Sequence, residues 1–307
     1  MERKDKQTKI FLSMITQLLL FLSILFSQDS FSTTVKKSIG YDLIKPDTIF
    51  FLPEILHEIS GLTAIDSNSF ACIQDELGIV FIYDLKQKEI TNQLRFAEKG
   101  DYEDITRVGK KLFILRSDGV LFEISNYDAK ETEARSYSTD IPCDNNEGLC
   151  YDRNNERLLI APKVKLRENP IYNDMLVIFG FDLNSRNLLQ EPVAGFQLTD
   201  INQFALNHSI NLHTKKKKQA VNTESGIQIR PSAVGIHPLT NDLYILSGAD
   251  KLLLVFNRNG NVEHIEKLDP HLFNKAEGIA FLENGDMFIS NEGKDKQPTI
   301  LRFNYHQ

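Results

Sequence analysis

A short motif recurs along this chain at a nearly constant step, and that spacing limits the folds open to it. The motif is most complete in AEGIAFLENGDMFIS, from Ala276 to Ser290, where a Glu-Gly-Ile head opens an apolar strand. Asn284-Gly285 predicts a type I′ hairpin turn, because both residues tolerate positive φ, and MFIS predicts the returning strand. Two strands alone are marginal in water, so the hairpin belongs to a larger sheet system. Aligned on the head, the copies are Ser60-Gly61-Leu62, Glu103-Asp104-Ile105, Glu147-Gly148-Leu149, Val234-Gly235-Ile236 and Glu277-Gly278-Ile279. Their steps are 43, 44, 87 and 43 residues. The long step is twice the short one, which predicts a diverged copy starting near residues 190–200 and six units in all. Repeats of this length, built from short strands, are the sequence sign of a β-propeller.

Each unit carries further strands. SFACIQD (69–75), KLFILRS (111–117), RLLIAPK (157–163), DLYILSG (242–248) and DMFISNE (286–292) follow the heads. Third strands are expected at IVFIYDL (79–85), GVLFEIS (119–125), LVIFGFDL (176–183), LLLVFNR (252–258) and ILRFNY (300–305). Asn259-Gly260 predicts a turn into a fourth strand, VEHIEKL. The last unit lacks a fourth strand, whereas DTIFFLP (47–53) is a lone strand before the first head. It is expected to complete the last blade and close the ring, which also pairs an otherwise open edge. The expected fold is therefore an all-β, six-bladed propeller of four-stranded blades over 41–307. Residues 199–230 fit worst and are expected to be a diverged blade with a polar, helical insertion. The run Lys215 to Lys218 within it reads either as a segment that binds an anionic surface or as a solvated loop.

Chain reversals place the heads and the turns between second and third strands at one mouth of the channel. Glu103, Glu147 and Glu277 stand at the heads; the turns carry Asp75, Glu76, Ser117, Asp118, Asn291 and Glu292. Converging carboxylates repel unless neutralised. A hard cation with many oxygen ligands would do this, so Glu103, Glu147 and Glu277 are candidate Ca²⁺ ligands. The alternative is that each bonds backbone N–H groups of the next blade and holds the ring. Arg116 and Lys163 end second strands on the same face, where they would bind an anionic ligand or pair with the carboxylates. Asp75, Glu76, Arg116, Asp118, Lys163 and Glu292 form the expected ligand-binding set. His57 and His237 flank two heads and read as bases or as ordinary polar residues. No G-x-S-x-G, H-E-x-x-H or phosphate-loop pattern occurs.

Before the repeats, Arg3, Lys4, Lys6 and Lys9 precede an apolar run from Ile10 to Phe26. This is the layout of an export signal, or of an uncleaved membrane anchor, within residues 1–30, followed by a linker at 31–40. An exported, envelope-located monomer is expected, with membrane contact through this segment. Three cysteines are too few for a disulfide framework. Cys143 and Cys150 are the pair that could bridge in an oxidising compartment; Cys72 and Cys150 otherwise read as packed strand residues. The charge balance of 35 basic against 42 acidic residues argues against a nucleic-acid partner.

EISGLTA, the GDYEDI of Gly100 to Ile105, NEGLCYD, RPSAVGIHPLTNDLYILS and AEGIAFLENGDMFISNEG resemble the SdiA-regulated family of exported bacterial propellers. The resemblance covers roughly 41–307 and is weakest across 185–230. It implies a six-bladed fold in the envelope and matches Glu103, Glu147 and Glu277 to the family's acidic anchors. It is also similar in outline to esterase-like phytase, gluconolactonase and paraoxonase propellers, which hold Ca²⁺ at the channel. Ser60 and Val234, at the same place in other units, depart from a symmetric acidic ring. Three functions remain open: a ligand-binding propeller with Ca²⁺ at one mouth, a Ca²⁺-dependent hydrolase of lactones or phosphate esters, and a protein-interaction scaffold.

Overall fold

The computed structural model describes residues 39–129, 133–164, 166, 170–212 and 227–306. The described residues belong to one compact unit, Lys37–Gln307. The expected export segment and Lys215 to Lys218 lie outside the described residues. Among the described residues, no helix is long and apolar enough to cross a membrane.

The chain forms five antiparallel sheets, each four strands deep from channel to rim. The first contains β2 (Ile59–Ala64), β3 (Ser69–Gln74), β4 (Ile79–Asp84) and β5 (Glu89–Arg95). The second contains β6 (Tyr102–Val108), β7 (Lys111–Arg116), β8 (Val120–Ser125) and β9 (Glu133–Ser138). The third has β10 (Asn146–Asp152), β11 (Arg157–Pro162) and β12 (Met175–Asp182), with β13 (Asn187–Leu188) and β14 (Ala194–Gln197) both paired to the outer side of β12. The fourth has β15 (Ala233–Ile236), β16 (Leu243–Ser247), β17 (Leu252–Phe256) and β18 (Val262–Lys267). The fifth has β19 (Ala276–Phe281), β20 (Met287–Asn291), β21 (Thr299–Phe303) and, from the far end of the chain, β1 (Thr48–Phe51). β1 pairs antiparallel with β21, with Phe50 opposite Ile300, so the expected closing strand is present.

The expected sixth blade is not. The inner strands contact one another in the order β2, β6, β10, β15, β19 and back to β2, so β10 meets β15 directly and leaves no gap for another blade. The apolar core agrees: it divides into five clusters, one at each blade interface. Leu62, Ile105, Leu149, Val234 and Ile279, one from each inner strand, fall one to each cluster. Much of the long step is spent differently. β13 and β14 widen the third blade, and helix α1 (Leu198–Asn207) lays Leu198, Ile201 and Ala205 into the interface of the third and fourth blades. The helix expected within 199–230 is therefore present at its start, as packing rather than as part of a blade.

Middle strands are buried on both faces, which is why they read as apolar runs rather than alternating ones. The outer strands β5 and β9 are mostly exposed and polar. Neither Asn-Gly turn is type I′, because only Gly285 and Gly260 have positive φ, at 93° and 81°. The Gly285 N–H donates to the Leu282 carbonyl and the Leu282 N–H to Asp286, the three-residue loop in which a type I turn precedes a left-handed residue. The loop at Gly260 has the same bonds from Asn257. All three cysteines are free and buried. Cys143 packs in the interface of blades two and three and Cys150 in that of three and four, so the sheet of blade three separates them and they do not pair.

Candidate ligand-binding site

One local irregularity builds the site. In four blades the pairing of first and second strands slips by one residue, and the extra residue is Ser60, Glu103, Glu147 or Glu277. A bulge re-aims the side chain it carries, and bulges are common beside functional sites. Here they turn three carboxylates toward one mouth of the channel. The fourth blade corrects the sequence alignment. Ala233 pairs with Leu246 where Gly278 pairs with Ser290, so the head residue is Ser232, not Val234. Ser232 Oγ donates to the carbonyl of Ala276 in the next blade at 2.9 Å, as Ser60 Oγ donates to that of Tyr102 at 2.7 Å. Two heads are thus serines that hold blade to blade, and three are carboxylates.

The three glutamates sense one another. Glu103 is pushed up to about 9 by burial first, then by Glu147 and Asp101, with Lys163 opposing and Glu277 adding. Glu277 is raised to about 7, chiefly by burial, with Lys275 opposing and Glu147 and Glu292 adding. Burial also raises Glu147, against the Lys163 ammonium with which it forms an ion pair. Lys275 pairs with Glu277 at 3.4 Å and with Glu292; burial disfavours its charge, but the two carboxylates outweigh this and raise its pKa. Asp101 accepts a 2.5 Å bond from Ser117 Oγ. Glu103 alone of the three has no hydrogen-bond or ion-pair partner among the described residues. Asp75 lies beside Glu58, Glu292 and Lys275; burial first, and then those carboxylates, raise it to about 6, and its buried Oδ1 has no partner.

The structure thus gathers Glu103, Glu147, Glu277, Lys163, Glu292 and Asp75. It leaves three expected residues outside that cluster. Glu76 is exposed and faces Lys99 at 3.8 Å. Arg116 and Asp118 close on each other in a two-bond fork, at 2.9 and 2.8 Å. Sequence reasoning missed Lys275, two residues before Glu277, and Arg230, whose pair with Asp250 at 2.7 Å balances the fourth blade's side of the mouth. It also undervalued Asp104. That carboxylate is fully buried, accepts the Leu149 N–H of the next blade at 2.7 Å, and is raised well above its ordinary value by burial. Neither histidine serves the site. His57 lies between Glu54 at 3.3 Å and the Lys294 carbonyl at 3.1 Å, and His237 is buried among Tyr41, Tyr244, Phe281 and Tyr305, where burial lowers its pKa.

A resident Ca²⁺ does not fit these residues as they stand. Among the described residues, no group of three or more His, Cys, Asp or Glu side chains is arranged to hold a metal ion. Two of the three expected ligands are engaged by lysines, which supply the neutralising charge in the protein itself.

Five radial sheets closed by an N-terminal strand, with a bulge-built acidic mouth, define a β-propeller. A family model described as SdiA-regulated matches residues 51–295, and the chain belongs to that family. Among solved structures, the chain is similar to Myxococcus xanthus glutaminyl cyclase, with TM-score 0.55 and 12% identity over 86% of this chain and 97% of that one. It is also similar to a streptogramin B lyase, with TM-score 0.48 and 10% identity over 84% and 97%. At these identities the likeness concerns the fold. No curated protein matches the chain.

Proposed function

We propose that this protein is an envelope propeller that binds a small organic cation, an ammonium group, at its acidic mouth. One observation carries the proposal: Glu103 is an unpaired carboxyl, held largely neutral by burial and by Glu147 and Asp101, while its neighbours Glu147 and Glu277 are paired with lysines. A group whose pKa is this far from its ordinary value, in a cleft, marks a functional site. Glu103 and Asp75, the carboxyls of the cluster not engaged by a lysine in an ion pair, offer fewer oxygens than the about six to eight that Ca²⁺ takes. An ammonium needs only a few acceptors around a point charge. Its arrival would ionise Glu103, so binding and proton release are coupled. Export is supported by the basic head and apolar run of residues 1–30.

The test is a titration with n-butylammonium and, separately, Ca²⁺ at several pH values. The expected result is saturable ammonium binding that tightens by up to about tenfold per pH unit between about 6 and 8, and is lost in Glu103→Gln. Binding that ignores pH, or survives Glu103→Gln, contradicts it. Tight, pH-coupled Ca²⁺ binding without ammonium binding would replace the organic cation by the metal.

A second function, hydrolysis of lactones or phosphate esters, draws on the separation between Glu103 at about 9 and Glu277 at about 7. Carboxyls with pKa values pushed apart serve as acid and base. Turnover of an aryl ester, lactone or phosphomonoester that Glu103→Gln and Glu277→Gln each abolish would favour it. Turnover untouched by both would remove it.

A further inference from the structure

The channel's other mouth carries a cavity of about 990 Å³, larger than the others described. It opens where the inner strands end, and Arg107 stands there, about 13 Å along β6 from Glu103 at the usual rise per residue. Most charged groups around it are spent. Arg153 pairs with Glu283 at 2.7 Å, Arg302 with Asp286 at 2.6 Å, and Asp152 with Arg157 at 2.9 Å. Asp66 keeps its charge: one of its oxygens accepts the N–H groups of Asn68 and Ser69, and it makes no ion pair among the described residues.

Arg107 is different. Its Nε donates to the Ala64 carbonyl at 2.8 Å and its Nη1 to that of Gly109 at 3.2 Å. These bonds fix the guanidinium plane without neutralising it. Nη2 has no partner, and no carboxylate pairs with Arg107, among the described residues. Thr63, Thr106 and Tyr151 line the same cavity, and their hydroxyls make no hydrogen bond among the described residues. A fixed, uncompensated guanidinium beside unengaged hydroxyls suits an oxyanion whose other groups are polar.

The geometry points to a second binding site at this mouth, one that takes a small hydroxylated organic oxyanion, a carboxylate or phosphate ester, on Arg107. The oxyanion lies against Nη2, and its hydroxyls meet Thr63, Thr106 and Tyr151. This site is independent of cation binding at the acidic mouth.

Glucuronate and glucose 6-phosphate are the probes, and glucose is the uncharged control, measured by calorimetry on the full chain. At least one anion should bind with Kd of about 1 mM or tighter, and glucose should not. Arg107→Gln should weaken that binding by about tenfold or more, Arg107→Lys by less, and Glu103→Gln should leave it unchanged. Which probe binds distinguishes carboxylate from phosphate. Because Arg107 also ties β6 to β2, the wild-type protein supplies a second readout. Phenylglyoxal should modify Arg107, and the bound anion should protect it, as read by peptide mass mapping. No binding by either anion, equal binding of glucose, or Arg107 modified at the same rate with and without the bound anion would overturn the site.

Discussion

At the scale of single residues, the mouth is a charge problem solved in part by the chain itself. Lys163 pairs with Glu147, Lys275 is shared between Glu277 and Glu292, and Glu103 is left to take up a proton. This has a thermodynamic consequence. The folded protein holds protons on Glu277 up to about 7 and on Glu103 up to about 9, whereas the unfolded chain releases them near 4.5. The native state therefore binds more protons between those values, and these groups contribute stability at low pH that is lost as pH rises. Denaturant melts should show the midpoint falling from pH 5 to pH 9, and Glu103→Gln should flatten that fall and raise stability at pH 8 by on the order of 1–2 kcal/mol. A midpoint for Glu103→Gln that falls as steeply as the wild type would count against a buried, protonated Glu103. The acidic residues of the mouth were legible because each sits at a repeated head. Lys275 was not, since a lysine near a strand start has no pattern of its own. Ser232 was hidden because Val234-Gly235-Ile236 imitates the motif two residues out of register, and only the pairing of Ala233 with Leu246 corrects it.

At the scale of elements, closure by β1 is the strand pairing with the longest sequence separation among the described residues. Phe50 turns inward against the interface of the fifth and first blades, and the Phe51 carbonyl accepts the Tyr83 hydroxyl at 3.2 Å. Phe50→Ala should cost about 3 kcal/mol, the usual toll for a buried aromatic, with Phe51→Ala far milder because that ring is exposed. Equal effects of the two, measured by urea unfolding, would mean that β1 does not seal the ring. Second strands were legible because burial on both faces makes them largely apolar, and first and third strands because most of their residues are buried. Fourth strands were poorly legible, since β5 and β9 are exposed on the rim and carry few apolar residues. The turn type was misread for a related reason: Asn-Gly also fits a type I turn ending at a left-handed glycine, and the sequence does not distinguish the two.

At the scale of the whole molecule, the repeat gave the architecture and overcounted it. The doubled step between Glu147 and the next head looked like a missing blade, yet β13, β14 and α1 spend part of that length on the flank of the third blade. A step length reports chain consumed, not sheets formed, and the direct contact of β10 with β15 decides the number. The five-bladed ring brings carboxyls from the second, third and fifth blades close enough to raise one another's pKa at a single mouth. From that geometry comes the central claim, a cation site whose occupation expels a proton. It is tested most directly by calorimetry of n-butylammonium binding at pH 7 in buffers of different ionisation enthalpy. About one proton released per cation bound in the wild-type protein, and no binding in Glu103→Gln, is the predicted result. Binding with no proton release in the wild-type protein would contradict it.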